Sequence, residues 1–159
     1  MSVSAGHNRV VWNLRHEQIP NIPGAYVFGS LAGRRVVPGD YQVRLSVGDI
    51  SMTRPLDVRL DPRVDTPMAE YVEQDAFVAR VAAELTEIHR AATDVDDVNE
   101  QIGTLLGRIE GRDGADVVTD AASSLTADLE TVADSLYQAQ VVDGQTVINF
   151  PSRLKFQYV

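Results

Sequence analysis

From Thr66 onward the apolar positions advance in steps of three and four: Tyr71, Gln74, Val78, Val81, Leu85, Ile88, Ala92, Val95, Asn99, Ile102, Leu106 and Ile109. Ten of these twelve are apolar or aromatic, and no proline follows Pro67 before the run ends. The spacing predicts one helix over 66–109 with a sustained heptad seam, roughly 65 Å long at about 1.5 Å per residue. Thr66-Pro67 supplies the start: a hydroxyl to cap, then a proline where its missing N–H costs nothing. After the turn Glu110-Gly111-Arg112-Asp113-Gly114, Asp116 is placed to cap a second helix. In it Val118, Ala122, Leu125, Leu129, Val132, Leu136 and Ala139 repeat the spacing as far as Asp143-Gly144. The two helices are expected to pair as an antiparallel, coiled-coil-like hairpin. The second, about 23 residues or roughly 35 Å, reaches back only to Leu85–Ile88, so Tyr71, Val78 and Val81 gain no partner from it.

Upstream of Thr66 the period is two. Val10, Trp12 and Leu14 alternate with Val11 and Asn13, which predicts a strand. Residues 18–39 hold Pro20, Pro23, Gly24, Gly29, Gly33, Pro38 and Gly39, a long irregular connection. Tyr41, Val43, Leu45 and Val47 then alternate with Gln42, Arg44 and Ser46, a strand with one apolar side. Gly48-Asp49 is a two-residue hairpin signal, glycine supplying the positive φ such turns need. Ile50, Met52, Leu56, Val58 and Leu60 continue the alternation, with Arg54 as the exception. Pro55 has no N–H for a ladder, so this strand is broken there or lies on an edge. Three strands cannot cover their own apolar face. Either the helices cover it, or strands of the same module lie outside this chain. The tail carries Val147, Ile148, Phe150, Leu154, Phe156 and Tyr158, too apolar for a free end, with Asn149 and Pro151 placed to start a short third helix. It is expected to pack back on the long helix near Tyr71, Val78 and Val81, the sheet and a second chain being the alternative covers. The expected class is therefore α+β: a β module over 1–64, a helical hairpin over 65–143 and a packed tail over 144–159.

With 159 residues, 44% of them hydrophobic, the chain can bury a core in one or two small domains. No run of apolar residues is long enough to span a membrane. Met1-Ser2-Val3-Ser4-Ala5-Gly6 lacks a basic stretch followed by an apolar one, so no signal peptide is expected in this chain. The absence of cysteine excludes disulfides and thiolate metal sites. The net charge of −9 is unevenly spread: residues 1–64 hold eight arginines against five acids, residues 65–143 four arginines against eighteen. One lysine stands against thirteen arginines, and fifteen aspartates against eight glutamates. Two readings fit this bias, a carboxylate surface adapted to high salt and a GC-rich genome that favours Arg over Lys. Either way, so acidic a surface argues against nucleic acid, whose phosphates it repels.

Candidate chemistry is sparse. Asp94, Asp96, Asp97 and Glu100 lack the loop glycine of a calcium site, and Val95 and Val98 interrupt the ligand positions, so they read as a solvated helix face. His89, with Glu84 and Glu87 nearby, falls in no His-Glu-x-x-His pattern and reads as a helix-surface histidine rather than a metal ligand. Asn99 and Gln74 are polar residues on the seam; a buried Asn at such a position fixes register and partner number. Trp12 and Tyr41 are expected to pack beneath a β layer; an aromatic platform for a ligand is the alternative. No nucleophile–base pair, P-loop or dinucleotide fingerprint occurs. The sequence thus offers no catalytic, metal, cofactor or small-molecule site, and the chain is not expected to be an enzyme. Two surfaces are candidates for an interface: the unprotected edge and apolar face of the sheet, and the unpartnered end of the long helix, Tyr71, Gln74, Val78, Val81 and Leu85.

Gly6-His7-Asn8-Arg9-Val10-Val11-Trp12-Asn13-Leu14-Arg15, followed by Pro38-Gly39-Asp40-Tyr41-Gln42-Val43-Arg44-Leu45, resembles the second half of an immunoglobulin-like module. It is similar to the type found in flagellar hook-capping proteins, with a Trp on one strand and Pro-Gly-x-Tyr leading into the next. Pro55-Leu56-Asp57-Val58-Arg59-Leu60-Asp61-Pro62-Arg63-Val64, a long helical hairpin, then Asn149-Phe150-Pro151-Ser152-Arg153-Leu154, resembles the C-terminal extension of sortilin-like, BNR-repeat "glycosyl hydrolase" propeller proteins. The resemblance implies a partial immunoglobulin-like antiparallel sheet ahead of the hairpin. It also implies a C-terminal fragment of a larger propeller protein, or a lineage that has lost the propeller. The family's activity is attached to the propeller and does not carry over to a chain without one. The nearest match to an Asp-box, Asp143-Gly144-Gln145-Thr146, lacks the spacer residue and the aromatic and reads as a turn. The expectation is a non-catalytic module for assembly, a homodimer or the partner of an upstream propeller; the rival is part of a glycan-processing enzyme.

Overall fold

The computed structural model describes residues 5–27 and 29–137. The tail, the continuation of the second helix to Asp143-Gly144 and the turn after it lie outside the described residues. The fold is mixed α/β: a two-stranded antiparallel sheet, β1 (Gly39–Val47) and β2 (Ile50–Val58), then a long helix α1 (Met68–Ile109) and a shorter one α2 (Ala115–Leu136).

The β hairpin follows its sequence closely. Gly48 takes φ 55° between the paired residues Val47 and Ile50, the positive value that glycine adopts without steric cost. A two-residue loop makes Val47 and Ile50 a hydrogen-bonded pair, and the alternation of antiparallel pairing then fixes every other position. Gln42 and Pro55 fall on a pair whose backbone groups point outward, so Pro55 breaks no ladder bond and instead removes a donor from the outer edge of β2. The strand runs through Pro55 unbroken, as an edge strand. One side of the sheet is polar, with Ser46 and Ser51 bonded hydroxyl to hydroxyl at 3.1 Å across the strands. The other carries Tyr41, Val43, Leu45 and Val47 opposite Leu56, Arg54, Met52 and Ile50.

Val10–Leu14, expected as a third strand, forms none. Leu14 adopts φ 57°, the left-handed region, which turns the chain out of an extended path. The turn is tied locally: the Trp12 indole N–H donates to the Arg15 carbonyl at 2.9 Å, and Asn13 accepts from the Arg15 N–H at 3.2 Å. Antiparallel pairing begins only afterwards, as a single bridge between Arg15 and Arg35.

By contact the described residues divide into two compact units, one of those up to Gln18 with Ala32–Ala79, the other of those in Ile19–Leu31 and from Arg80 to Tyr137. In the first, the His16 N–H donates to the Arg34 carbonyl at 2.9 Å and the Arg15 guanidinium to the Gly33 carbonyl at 2.8 Å. Arg34 also reaches α1, its Nε donating to Asp75 at 2.7 Å, with His16 3.9 Å from the same carboxylate. Trp12 and Tyr41 meet edge to face, centroids 5.8 Å apart, and the Tyr41 hydroxyl donates to the Val37 carbonyl at 2.6 Å.

The second unit holds the buried core: Ile22, Leu31, Leu85, His89, Ala92, Val95 and Ala122. Leu85, Ala92 and Val95 are the seam read from the sequence. Ile22 and Leu31 come from the proline- and glycine-rich segment, whose ends are held together by the Ile19 N–H on the Leu31 carbonyl at 2.9 Å. His89, expected on the surface, is buried, with Nδ1 on the Pro20 carbonyl. A carbonyl can only accept, so Nδ1 carries the proton.

α1 begins at Met68, two residues after Thr66, and ends at Ile109 as the spacing predicted. The reversal to α2 uses Gly111 and Gly114 at φ 72° and 79°. Gly114, not Asp116, is the N-cap of α2, and it makes no side-chain cap bond; Asp116 sits in the first turn, where its charge complements the helix dipole. α2 runs to Leu136, and with this reversal the arrangement is hairpin-like. The heptad positions of α2 do not all serve the hairpin. Ala115, Ala122, Leu129 and Leu136 are buried or half-buried, whereas Val118, Leu125 and Val132 are exposed.

Candidate interaction surface

The sequence-derived interface residues differ in what they offer a partner. Tyr71, Val78 and Val81 are half-buried and Gln74 is exposed. Leu85 is 1% exposed, part of the core of the second unit, and has no surface to give. Asn99 is half-buried on the seam, its side-chain oxygen enclosed and without a hydrogen-bond partner among the described residues.

A larger surface stands on the sheet. Val43, Leu45, Val47, Ile50 and Met52 are 53–74% exposed, and the strand register places all five on one side. Sheets bury such a side against a second layer, and a lone two-stranded hairpin is marginal in water. At roughly 100 Å² apiece the five residues expose about 500 Å² of contiguous apolar surface, the upper range for the largest patch on a soluble monomer. That so few strands leave an apolar face uncovered is legible in the sequence; what covers it is not, because period two says only that a strand has an apolar side.

The charges around this patch are few. Arg54 shares the apolar side, opposite Val43, and makes no ion pair among the described residues. Beyond the strand the arginines are occupied: Arg59 holds Asp57 at 2.6 Å and Arg63 holds Asp61 at 2.6 Å. The Arg63 guanidinium and its backbone N–H keep the Asp61 carboxyl below its ordinary range. Both pairs are exposed and join residues two apart, so they tie the chain locally rather than hold the fold.

Among the described residues no three His, Asp or Glu side chains converge as metal ligands, and no helix is long and apolar enough to cross a membrane. Asp94, Asp96, Asp97 and Glu100 are all exposed. A cavity of about 440 Å³ lies along α1, lined by Asp97, Glu100, Gln101, Thr104, Leu105 and Arg108. Its lining among the described residues holds no nucleophile–base pair. Comparison with known protein families, with characterised proteins and with solved structures finds no match.

Proposed function

We propose that the chain is a non-catalytic accessory module that mediates assembly through self-association. The observation that carries the reading is the sheet, on whose apolar side Val43, Leu45, Val47, Ile50 and Met52 lie in solvent while its polar side is ordinary surface. Leaving that side wet costs roughly 25 cal/mol per Å², about 12 kcal/mol gross over about 500 Å², and a partner recovers what remains after the costs of association. A homodimer is the simplest partner, because one defect is then buried twice. Light scattering on a sizing column, at micromolar concentration and in high salt to damp the net negative charge, should return about twice the 17.4 kDa chain mass. A monomer under those conditions overturns the reading.

The proposal extends to the parent protein. The Trp12 and Pro38-Gly39-Asp40-Tyr41 segments, with the run from Pro55 to Val64, support a C-terminal extension of a sortilin-like, BNR-repeat propeller protein. On that reading β1 and β2 belong to an immunoglobulin-like module whose remaining strands lie elsewhere. The rival reading, part of a glycan-processing enzyme with its catalytic propeller upstream, shares this resemblance and differs in consequence. Sequencing upstream in the same reading frame separates them: Asp-box repeats there favour the enzyme, and their absence leaves the self-associating module.

A further inference from the structure

We propose that the partner surface for the sheet is the outer stripe of α2 in a second copy of the chain. Two copies then bury sheet against helix twice about a two-fold axis. This rests on the reading of the chain as a self-associating module and names the surfaces that reading leaves open.

Both surfaces are exposed in the single chain. The sheet offers Val43, Leu45, Val47, Ile50 and Met52; α2 offers Val118, Leu125 and Val132, spaced by sevens along one line and 39–49% exposed. Each is interrupted by one charge, and the charges are opposite. Arg54 lies within the sheet's apolar side. Asp128 lies three residues after Leu125 and four before Val132, which places it between them on the same helix face.

The lengths agree as well. From Leu56 to Ile50 the sheet side spans about 20 Å, at roughly 3.4 Å per strand residue. From Val132 to Val118 the helix stripe spans about 21 Å, at roughly 1.5 Å per residue. Laid side by side, Leu56, Arg54, Met52 and Ile50 fall opposite Val132, Asp128, Leu125 and Val118, so the one cation meets the one anion.

Charge disfavours the sheet as its own partner. The sheet's apolar side holds no acid, so stacking two sheets buries both copies of Arg54 with no carboxylate to meet them. Pairing along the outer edge of β1 leaves the apolar side as wet as before. The composition points the same way, since eight arginines against five acids in residues 1–64 face eighteen acids against four arginines in residues 65–143. Counting about 500 Å² for the sheet and about 200 Å² for the α2 stripe, a two-fold dimer buries about 1,400 Å², within the range of specific interfaces.

The test measures dimer dissociation by sedimentation equilibrium at about 0.15 M salt. It uses the full chain and two exposed-site variants, Ile50→Glu on the sheet and Leu125→Glu on α2, each checked for native circular dichroism. Each variant alone should raise the dissociation constant at least tenfold. An equimolar mixture should associate more tightly than either, because the mixed dimer keeps one intact contact. Arg54→Glu and Asp128→Arg should each weaken the dimer, and the double variant should return to within about threefold of the parent. A parent dimer weakened by only one of the two glutamate substitutions overturns this assignment and leaves self-association standing. So does a double variant no tighter than the singles. A parent chain that is monomeric sinks self-association and this assignment together.

Discussion

Gly33→Ala should be the most damaging small substitution in the described chain. The obstacle is space rather than backbone conformation. A methyl group built at Gly33 would lie 2.0 Å from the His16 carbonyl oxygen and 2.3 Å from that of Glu17, where real Cβ atoms do not approach below 3.0 Å. Both obstructing atoms are backbone, so no rotamer change relieves them; the two segments must part by about an ångström. Parting stretches the His16 N–H bond to Arg34 and the Arg15 guanidinium bond to Gly33, now 2.9 and 2.8 Å. Overpacking costs about 1–3 kcal/mol. Each of the two hydrogen bonds lost adds about 1 kcal/mol, for a total of about 3–5 kcal/mol.

For a chain of this size that loss corresponds to a fall of order 10 °C in Tm. Trp12 is the one tryptophan, and it lies in the same unit as Gly33, so its fluorescence reports the transition locally. Gly103→Ala is the control. It sits inside α1 with open space where its methyl would go, so the same chemical change should stabilise by about 0.5–1 kcal/mol, read by far-ultraviolet circular dichroism. A Gly33→Ala protein whose fluorescence midpoint stays within about 2 °C of the parent would refute the close approach of the two segments.

Two further outcomes follow from charge. Eighteen acids against four arginines in residues 65–143 repel one another until salt screens them, so Tm should rise clearly from low salt to molar potassium chloride. A flat or falling Tm removes the salt-adapted reading of the composition. Burial, reinforced by Asp96 and Asp134, pushes the Tyr137 phenol above its ordinary value of 10.0. The folded state therefore prefers the neutral phenol: its contribution is fully present below that value and is lost as pH climbs from there through the raised value in the folded chain. Tyr137→Phe should keep more of its stability than the parent between about pH 9 and about pH 11, by urea denaturation. Parallel losses in the two proteins would show that Tyr137 titrates as in the unfolded chain.

Elements were legible where one local signal decided the backbone. Gly48-Asp49 between two alternating runs leaves only a tight hairpin, and the register through Val47 and Ile50 follows from it. The seam ending at Ile109 marks the end of α1 because Gly111 follows at once. Val10–Leu14 shows the limit. Its alternation is as regular as that of Tyr41–Val47, yet Leu14 turns the chain aside and the Asn13 and Trp12 side chains bond to Arg15, competition that period-two counting does not weigh. Asp75 gave no signal either, since the residue that holds it, Arg34, is distant in sequence and joined to it by tertiary structure alone.

Burial was the least legible property, and the self-association we propose rests on it. His89 sits among the charges of α1 and looks like surface, but the irregular segment before β1 covers it and supplies the Pro20 carbonyl. Val118, Leu125 and Val132 look like core and are exposed, because a three-four pattern defines two adjacent heptad lines and the hairpin-like arrangement buries mainly one. The sheet repeats the lesson on a larger scale: its apolar side is unambiguous in sequence and stands open in the single chain. Both surfaces consist of apolar residues that periodicity alone would assign to an interior. An amphipathic pattern records that a face is meant to be covered, and it is equally satisfied by the same chain or by another. Where the chain leaves two such faces open, each with one charge of opposite sign, the pattern is better explained by a partner than by a defective core. The interface we propose therefore lies at Arg54 and Asp128 rather than at the 71–85 end of α1, where Leu85 is already enclosed.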